Sequence, residues 1–407
     1  MFFLCLNDIK PEKTDNGHLL TLGGVDMAKK LVAILFLILI TLPTMFSCAS
    51  CFGVPYAEVE VSGNEVENSV NNYLAGGNLA RIGDKLFFNY AKNSGSYGLI
   101  EISSSGSKVI RGNEPKLKSY GLRCALFEHN NLLLSRIPKS LNDDGAVGVH
   151  YYSEQEEKFK QYDGFSFLGD NGLGDRGDLY PQFAENGAMI YGCGKEQTGN
   201  VINLTVYHLA FLDSATEKFI VNAEVSEFFV SGNKVYYLTY VKDDESGKII
   251  DLLRVYDLDS QTDILLYEFE KDNNVSHLFV CDNHLVCRVY DPGIIGERVL
   301  ISDLNSDRIN FKEVISDENI TSTASYSPYS FRYDGIAGMN CYGHNVYIAT
   351  AGGVYAYNVA SGKLSKLCNV YAEECYIVDD YWVYFVGEES SLWRVAQDGS
   401  NVERIYG

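Results

Sequence analysis

Hydrophobic and polar positions follow one pattern seven times between residue 80 and the end of the chain. Each repeat opens with a short polar turn that carries Gly, Asn, Asp or His and leads into an apolar strand. The turn and strand read IGDKLFF (82–88), EHNNLLL (128–134), AENGAMIY (184–191), VSGNKVYY (230–237), VCDNHLVC (280–287), CYGHNVYI (341–348) and IVDDYWVYF (377–385).

A second apolar strand and a small polar turn complete each repeat. They read YGLIEISSSG (97–106), VGVHYYSEQ (147–155), YHLAFLDSAT (207–216), LLRVYDLDSQ (252–261), RVLISDLNSD (298–307), GVYAYNVASG (353–362) and SLWRVAQDGS (391–400). Two successive hairpins, restarted seven times, are typical of a radial array of four-stranded sheets. The pattern predicts an all-β fold, a β-propeller of seven four-stranded blades.

The spacing of the repeats agrees with this fold. Corresponding turns lie 36 to 61 residues apart, and a four-stranded blade takes about 40–50 residues. The longer intervals therefore indicate inserted loops. The pattern leaves ring closure open: the first and last blades either pack directly or share a strand from residues 56–62.

The N-terminal segment predicts export. Residues 27–51 place Lys29 and Lys30 before an apolar run, which is typical of a signal peptide. The alternative is a membrane-anchor helix, which is less favoured because the run is short and interrupted by Pro. Residues 1–26 are polar and precede this signal, so we expect Met27 to be the true start. Residues 52–70 are predicted to be a tether, and residues 71–407 the propeller.

Two cysteines directly follow the apolar run. Cys48 follows Met-Phe-Ser, and Cys51 follows Cys-Ala-Ser. A cysteine after a small residue at this place resembles the lipobox of bacterial lipoproteins, in which the cysteine carries a lipid. Both remain candidates, and Cys48 is favoured because a large apolar residue stands three positions before it. The expected location is therefore extracytoplasmic, on a bacterial membrane through the lipid anchor.

The net charge of the chain limits the classes of partner that we expect. The net charge is −21, which repels phosphate backbones and excludes nucleic acid as an expected partner.

Seven cysteines follow the lipobox in an odd, scattered set, mostly inside apolar strands, which favours buried thiols over a disulfide framework. Cys368 and Cys375 are the one pair that merits a test as a disulfide.

The last repeat carries a resemblance to a known family. WVYFVGEESSLWRVAQDGSNVERI (382–405) and the opening NYLAGGNLARIGDKLFFN (72–89) resemble the blades of low-density-lipoprotein-receptor-like propellers. Such propellers occur in a bacterial domain family of unknown function, often on secreted or lipid-anchored proteins. The resemblance implies a propeller of about 330 residues, and the family has no agreed catalytic residues that could be transferred to this chain.

One inserted loop, residues 162–182, is rich in glycine and acidic residues. Asp170, Asp175 and Asp178, with Asn171 between them, offer several oxygen ligands of the kind that Ca²⁺ prefers. Their spacing differs from that of an EF-hand. The alternative interpretation is a solvated loop without a metal, so Ca²⁺ is the one cofactor that the sequence suggests.

A second inserted loop, residues 321–335, is aromatic. Tyr326, Tyr329, Phe331, Arg332 and Tyr333 lie within eight residues. Aromatic faces with a polar rim suit stacking on sugars or peptides. The alternative is that these rings pack on the propeller itself.

No local sequence pattern supports catalysis. The chain lacks a Gly-x-Ser-x-Gly elbow and a phosphate-binding Gly loop with Lys. The favoured hypothesis is a ligand- or protein-binding module whose partner is a glycan, a peptide or an envelope protein. The alternatives are a propeller enzyme that acts on extracellular glycans or peptides, and an envelope scaffold.

Overall fold

The computed structural model describes the blades and the segment that precedes them. The described residues are 64–66, 69–92, 96–111, 126–129, 132–138, 147–153, 155–156, 158–161, 182–186, 188–195, 206–213, 216–221, 223, 225–271, 273–291, 296–316 and 335–407. The chain divides into two units, residues 1–55 and 56–407. All described residues belong to the second unit.

In the described part of the chain, twenty-eight strands form seven antiparallel sheets, each built from four consecutive strands. The prediction of an all-β propeller with seven four-stranded blades is confirmed. The strands of blades 1 to 3 are β1 (Leu79–Ile82), β2 (Lys85–Lys92), β3 (Ser96–Ser103), β4 (Gly106–Arg111), β5 (Leu126–His129), β6 (Leu132–Pro138), β7 (Val147–Ser153), β8 (Lys158–Gln161), β9 (Gln182–Phe183), β10 (Met189–Lys195), β11 (Val206–Asp213) and β12 (Thr216–Val221).

Blades 4 to 7 continue the same order. Their strands are β13 (Val225–Ser231), β14 (Lys234–Lys242), β15 (Ile249–Asp257), β16 (Thr262–Glu268), β17 (Asn274–Cys281), β18 (His284–Asp291), β19 (Gly296–Asp303), β20 (Lys312–Ser316), β21 (Ile336–Tyr342), β22 (Asn345–Thr350), β23 (Gly353–Asn358), β24 (Lys363–Cys368), β25 (Glu374–Tyr376), β26 (Trp382–Val386), β27 (Leu392–Ala396) and β28 (Val402–Tyr406). The described residues also form one α-helix, α1 (Ser69–Leu74), and a 3₁₀ turn, Glu388–Ser390.

Burial falls from the inner to the outer strands of a blade. Every residue of β26, the second strand of blade 7, is buried, whereas β16, the outermost strand of blade 4, is mostly exposed. The cause is that neighbouring blades cover the inner strands on both faces. Continuous apolar runs such as WVYFV therefore belong to inner strands, as the sequence predicts.

The hydrophobic core lies between blades. Four buried clusters occupy the junctions of blades 3 and 4, of blades 4 to 6, of blades 6 and 7, and of blades 7 and 1. In the last of these, Leu79 and Phe88 pack with Tyr376 and Trp382. The rings of Phe88 and Tyr406 meet edge to face, 6.1 Å between centroids. The described parts of blades 7 and 1 thus pack directly, each with four strands of its own; residues 56–62, the other candidate for ring closure, lie outside the described residues.

The strand order defines two faces of the propeller. On the turn face, the first strand of each blade turns into the second, as at Gly232–Asn233 of blade 4, and the third turns into the fourth. On the loop face, the second strand leads to the third, and one blade leads to the next. Gly232 has φ +59°, the left-handed conformation that a tight hairpin turn requires.

The cysteines whose side chains the structure describes are buried free thiols. They are Cys281, Cys287, Cys341, Cys368 and Cys375. The interpretation of these five as small core residues is confirmed, and Cys368 and Cys375 form no disulfide. Burial raises the pKa of the Cys368 thiol, so it stays protonated and unreactive.

Candidate functional site

The segment before blade 1 runs along the central channel, beside the innermost strand of blade 7. At the turn face, the Asn64 backbone N–H donates to the Asp380 carboxylate at 2.9 Å. Farther along, the Val66 N–H donates to the Val378 carbonyl at 3.4 Å. At the loop face, Asn78 Nδ2 donates to Glu374 Oε2 at 2.5 Å. Residues 64–66 therefore pair antiparallel with blade 7 at the turn face, and residues 69–78 lead to the loop face; we call the described residues 64–66 and 69–78 the channel segment.

Asn72 is the hydrogen-bonding centre of the channel segment. Its Nδ2 donates to the Ile377 carbonyl at 2.6 Å, and its Oδ1 accepts the Ile377 N–H at 2.8 Å. The same Oδ1 accepts Nδ2 of Asn340, at 2.9 Å. Asn72 and Asn340 are both buried. One amide thus joins helix α1 to the innermost strands of blades 6 and 7.

The rest of helix α1 extends these contacts around the channel. Asn71 Nδ2 donates to the Cys341 carbonyl of blade 6 at 2.8 Å. The helix also contacts the innermost strands of blades 1, 2 and 7. Gly76 and Gly77 follow with φ +123° and +64° and reverse the chain into β1. A Cβ on Gly76 would lie 2.8 Å from the Glu374 carboxyl group, so this turn also needs glycine for space.

One position of the innermost strand recurs as a link between blades. It lies opposite the fifth residue of the second strand, and its occupants include Asn78 in blade 1, Glu227 in blade 4, Gly338 in blade 6 and Glu374 in blade 7. The side chains of Glu227 and Glu374 each bond to the following blade. At Gly338, a Cβ would lie 2.7 Å from the Glu373 carbonyl oxygen of blade 7. The position therefore sets the approach of adjacent blades.

Glu227 joins blade 4 to an irregularity in blade 5. Its Oε2 accepts the His277 N–H at 2.8 Å, and its Oε1 accepts the Leu278 N–H at 2.6 Å. His277 has φ +53°, which bends β17 so that both N–H groups point at one carboxylate. Since both carboxylate oxygens accept backbone donors, we interpret Glu227 as a link between blades and not as a catalytic base.

Burial perturbs both side chains of this link. It raises the pKa of Glu227 to about 7, against the opposing effect of the two N–H groups. Burial, with a smaller effect of Arg288, lowers the pKa of His277 to about 4. Desolvation disfavours the charged form in each case. Between these two values both side chains are neutral.

The Glu227 carboxyl group predicts a pH-dependent stability. Its pKa is higher in the folded chain than the ordinary 4.5, so its contribution to stability is lost as pH rises from about 4.5 to 7. We expect the free energy of unfolding of wild type, relative to Glu227→Gln, to fall by about 2 kcal/mol across that range. Urea unfolding of both proteins at pH 4.5, 6 and 8 measures the difference. His277 titrates in both proteins, so a constant difference would contradict the prediction.

The site residues predicted from the sequence lie outside the described residues. This holds for Cys48 and Cys51, for the acidic set Asp170, Asp175 and Asp178, and for the aromatic set Tyr326, Tyr329, Phe331, Arg332 and Tyr333. Their roles stay predictions. Among the described residues, no group of three His, Cys, Asp or Glu side chains is arranged to hold a metal ion.

The described strands nevertheless fix the face on which both predicted loops begin and end. The acidic loop connects β8 of blade 2 to β9 of blade 3, and the aromatic loop connects β20 of blade 5 to β21 of blade 6. Both are connections from one blade to the next. Their ends therefore lie on the loop face.

Sequence reasoning missed the channel segment and the Glu227 link. The sequence analysis assigns NYLAGGN (72–78) to the opening of the propeller, and it does not predict the place of these residues in the channel. Two adjacent asparagines before a Gly-Gly pair were the available signal, since short amides suit caps and turns. Glu227 gave no signal, because a single glutamate in a strand is ordinary on a solvated face.

Comparison with known proteins finds similar chains among solved structures only. No protein family matches the chain, and no curated protein does. The tricorn protease matches at 10% identity and TM-score 0.48, over 84% of this chain and 35% of that one. The β-propeller domain of the Trilobed protease from Pyrococcus furiosus, with an open velcro topology, matches at 12% identity and TM-score 0.45, over 73% and 83%.

A third similar structure is described as the extracellular domain of a hybrid two-component system from B. thetaiotaomicron. It matches at 13% identity and TM-score 0.46, over 85% of this chain and 44% of that one. This chain thus spans less than half the length of that structure and of the tricorn protease. The seven sheets define the structural class of this protein, a seven-bladed β-propeller.

The described helices are relevant to membrane insertion only if one of them could span a bilayer. Within this part of the chain, none is both long and apolar enough to cross a bilayer.

Proposed function

We propose that the chain is a lipid-anchored, extracytoplasmic β-propeller that serves as a binding module for a glycan, a peptide or an envelope protein. The basic and apolar segment before Cys48 and Cys51 supports the export and the anchor. An acidic chain with a net charge of −21 suits solubility outside the membrane.

The occupied channel is the observation that carries the binding role. Asn71, Asn72 and Asn78 hold blades 6 and 7 from inside the channel. The channel is where the blades of a propeller converge, and here the amides of Asn71, Asn72 and Asn78 bond to blades 6 and 7. This favours binding at the loop face over an active site shared among the blades.

The loop face suits a binding role because a rigid scaffold there supports variable connections. The two inserted connections, residues 162–181 and 317–335, both start and finish on this face. Binding residues concentrate on loops that a rigid fold positions. Blade packing fixes where these connections begin, and their length is free to vary.

A thermal-shift screen tests the binding role. The compact unit of residues 56–407 is heated with calcium, with soluble glycans and with peptidoglycan fragments, because a ligand of the native state raises its melting temperature. We expect a shift with at least one probe. A calcium shift abolished by Asp175→Ala with Asp178→Ala locates a metal site, and a sugar shift lost in Tyr329→Ala locates an aromatic site.

The lipid anchor is tested in the full-length protein. Cys48→Ala combined with Cys51→Ala is expected to move the protein from the membrane fraction to the soluble fraction, while each single variant identifies the lipidated residue. Unchanged membrane retention of the double variant would argue against lipidation. A flat thermal-shift screen would argue against a glycan or calcium ligand.

A further inference from the structure

The junction of blades 5 and 6 holds two thiols that face each other near the turn face. Cys281 is the last residue of β17 and lies opposite His284, whereas Cys341 is the second-last residue of β21 and lies opposite Val346. The two cysteines therefore differ by one position in the blade register. Since successive residues of a strand point to opposite faces of the sheet, one cysteine points to the following blade and the other to the preceding blade.

The contacts of the two side chains agree with these directions. Cys281 Sγ lies 3.4 Å and 3.5 Å from the carbonyl oxygens of Gly343 and Asn345 in blade 6, within hydrogen-bonding distance. Cys341 packs in the cluster that joins blades 4 to 6, whereas Tyr342, the next residue of β21, packs against the cluster between blades 6 and 7. A hydrogen bond joins the thiols of Cys281 and Cys341 directly.

Both thiols are protected from solvent in the folded chain. Cys281 is 2% exposed and Cys341 is fully buried. Burial, together with the hydrogen bond to Cys281, raises the pKa of the Cys341 thiol. Because the thiolate is the form that exchanges with disulfides, the folded pair reacts slowly. Its redox state is therefore set while the chain folds or while the junction of blades 5 and 6 is open.

We propose that Cys281 and Cys341 form a disulfide that joins blade 5 to blade 6 when the chain folds in an oxidising compartment. The free thiols of the structure are the reduced form of this pair. On oxidation, two S–H bonds break and one S–S bond forms. The two protons and two electrons pass to a small disulfide such as oxidised glutathione, which is reduced to two thiols. The proposal rests on the extracytoplasmic location proposed above, since disulfides persist in oxidising compartments, and not on the binding role.

The disulfide stabilises the part of the ring that carries the predicted aromatic loop. The inserted connection of residues 317–335 leads from β20 of blade 5 to β21 of blade 6, and therefore crosses the same junction. At the turn face, the Asp282 carboxylate and His344 Nδ1 also bond across it. A disulfide between residues 60 positions apart restricts the unfolded chain, which raises the melting temperature of a protein of this size by about 5 °C.

Refolding in a defined redox buffer tests the thiol pair. The full-length chain is unfolded in urea, refolded with reduced and oxidised glutathione, and alkylated with iodoacetamide before peptide mapping by mass spectrometry. We expect most molecules to contain a peptide pair linked through Cys281 and Cys341. Their melting temperature is expected to lie about 5 °C above that of protein refolded with reduced glutathione alone.

Three variants separate this pair from the other buried thiols. Cys281→Ala and Cys341→Ala are each expected to abolish the difference in melting temperature between the two refolding buffers. Cys375→Ala is the matched control and is expected to keep the difference. It also removes a fully buried thiol that donates to a carbonyl of a neighbouring blade, that of Tyr347 at 3.6 Å.

The peptide map of the wild-type protein decides the proposal even if a variant fails to fold. Alkylated Cys281 and Cys341 in most refolded molecules, or a link from either one to another cysteine, would overturn it. A linked pair with an unchanged melting temperature would overturn the stabilising role. Protein alkylated directly in cells tests the location separately: a reduced pair there, beside a linked pair after refolding, would contradict the extracytoplasmic location and support the disulfide chemistry.

Discussion

Replacing Asn72 by Ala is expected to lower the free energy of unfolding by about 3–5 kcal/mol. The substitution removes one amide from three buried hydrogen bonds, two with the Ile377 backbone and one with the Asn340 side chain. Each buried polar group that loses a partner costs about 1–3 kcal/mol. A loss of this size is a large part of the total stability of a domain, about 5–15 kcal/mol.

Urea unfolding followed by tryptophan fluorescence measures this loss, since Trp382 and Trp393 both lie in blade 7. Asn305→Ala is the matched control, because Asn305 is exposed in a turn of blade 5 and its replacement is expected to change stability by less than about 0.5 kcal/mol. Similar, small losses in both variants would show that Asn72 does not hold the channel segment in place.

Replacing Arg81 by Ala is expected to cost about 3 kcal/mol at neutral pH. Arg81 Nη1 lies 3.5 Å from Asp379 Oδ2 across the junction of blades 1 and 7, and both side chains are buried. Asp379 also accepts the Trp382 N–H at 2.6 Å and the Tyr384 hydroxyl at 2.7 Å. Removal of one partner from a buried ion pair leaves an uncompensated charge, which costs more than the pair itself contributes.

The cost of Arg81→Ala is expected to depend on pH. Burial already raises the pKa of Asp379 above 3.8, and Arg81 opposes that rise. Without Arg81 the pKa of Asp379 rises further, so the variant loses stability as pH climbs from 3.8 through the new pKa. The destabilisation measured by urea unfolding is thus small in acid and full at pH 8. Arg308→Ala, at an exposed turn residue, is the control; equal costs for Arg81→Ala at pH 4 and pH 8 would contradict the pair.

The sequence predicted the blades well because their signal is local and repeated. Runs such as VSGNKVYY and CYGHNVYI place a polar turn before an inner strand, and the structure has β14 and β22 beginning at Lys234 and Asn345. Seven copies of a weak hairpin signal reinforce one another. The blade count therefore followed from the pattern, despite intervals that vary with loop length.

The contacts that close the ring could not be predicted, because they join residues about 300 positions apart. Asn72 bonds to Ile377, and Asn78 bonds to Glu374. The local sequence around each residue does not indicate its partner. Asn64 and Glu65 lie in the range predicted to be a tether, yet both bond to blade 7. A short polar segment has the same composition whether water or a channel surrounds it.

The positions of the candidate sites on the propeller could not be predicted from the sequence either. The acidic and aromatic loops were chosen by composition, and composition does not place loops on a face. The described ends of β8, β9, β20 and β21 place the beginning and the end of both loops on the loop face.

Hydrogen exchange of the channel segment tests the central claim most directly. The N–H groups of Val66, Ala75 and Gly77 all donate to backbone carbonyls, and the segment is held between blades. The account predicts that peptides covering residues 64–78 exchange as slowly as those of β26 in blade 7, because both open only with the ring. Exchange within seconds, at the rate of an unprotected chain, would show that residues 64–78 lie outside the channel and would contradict the account.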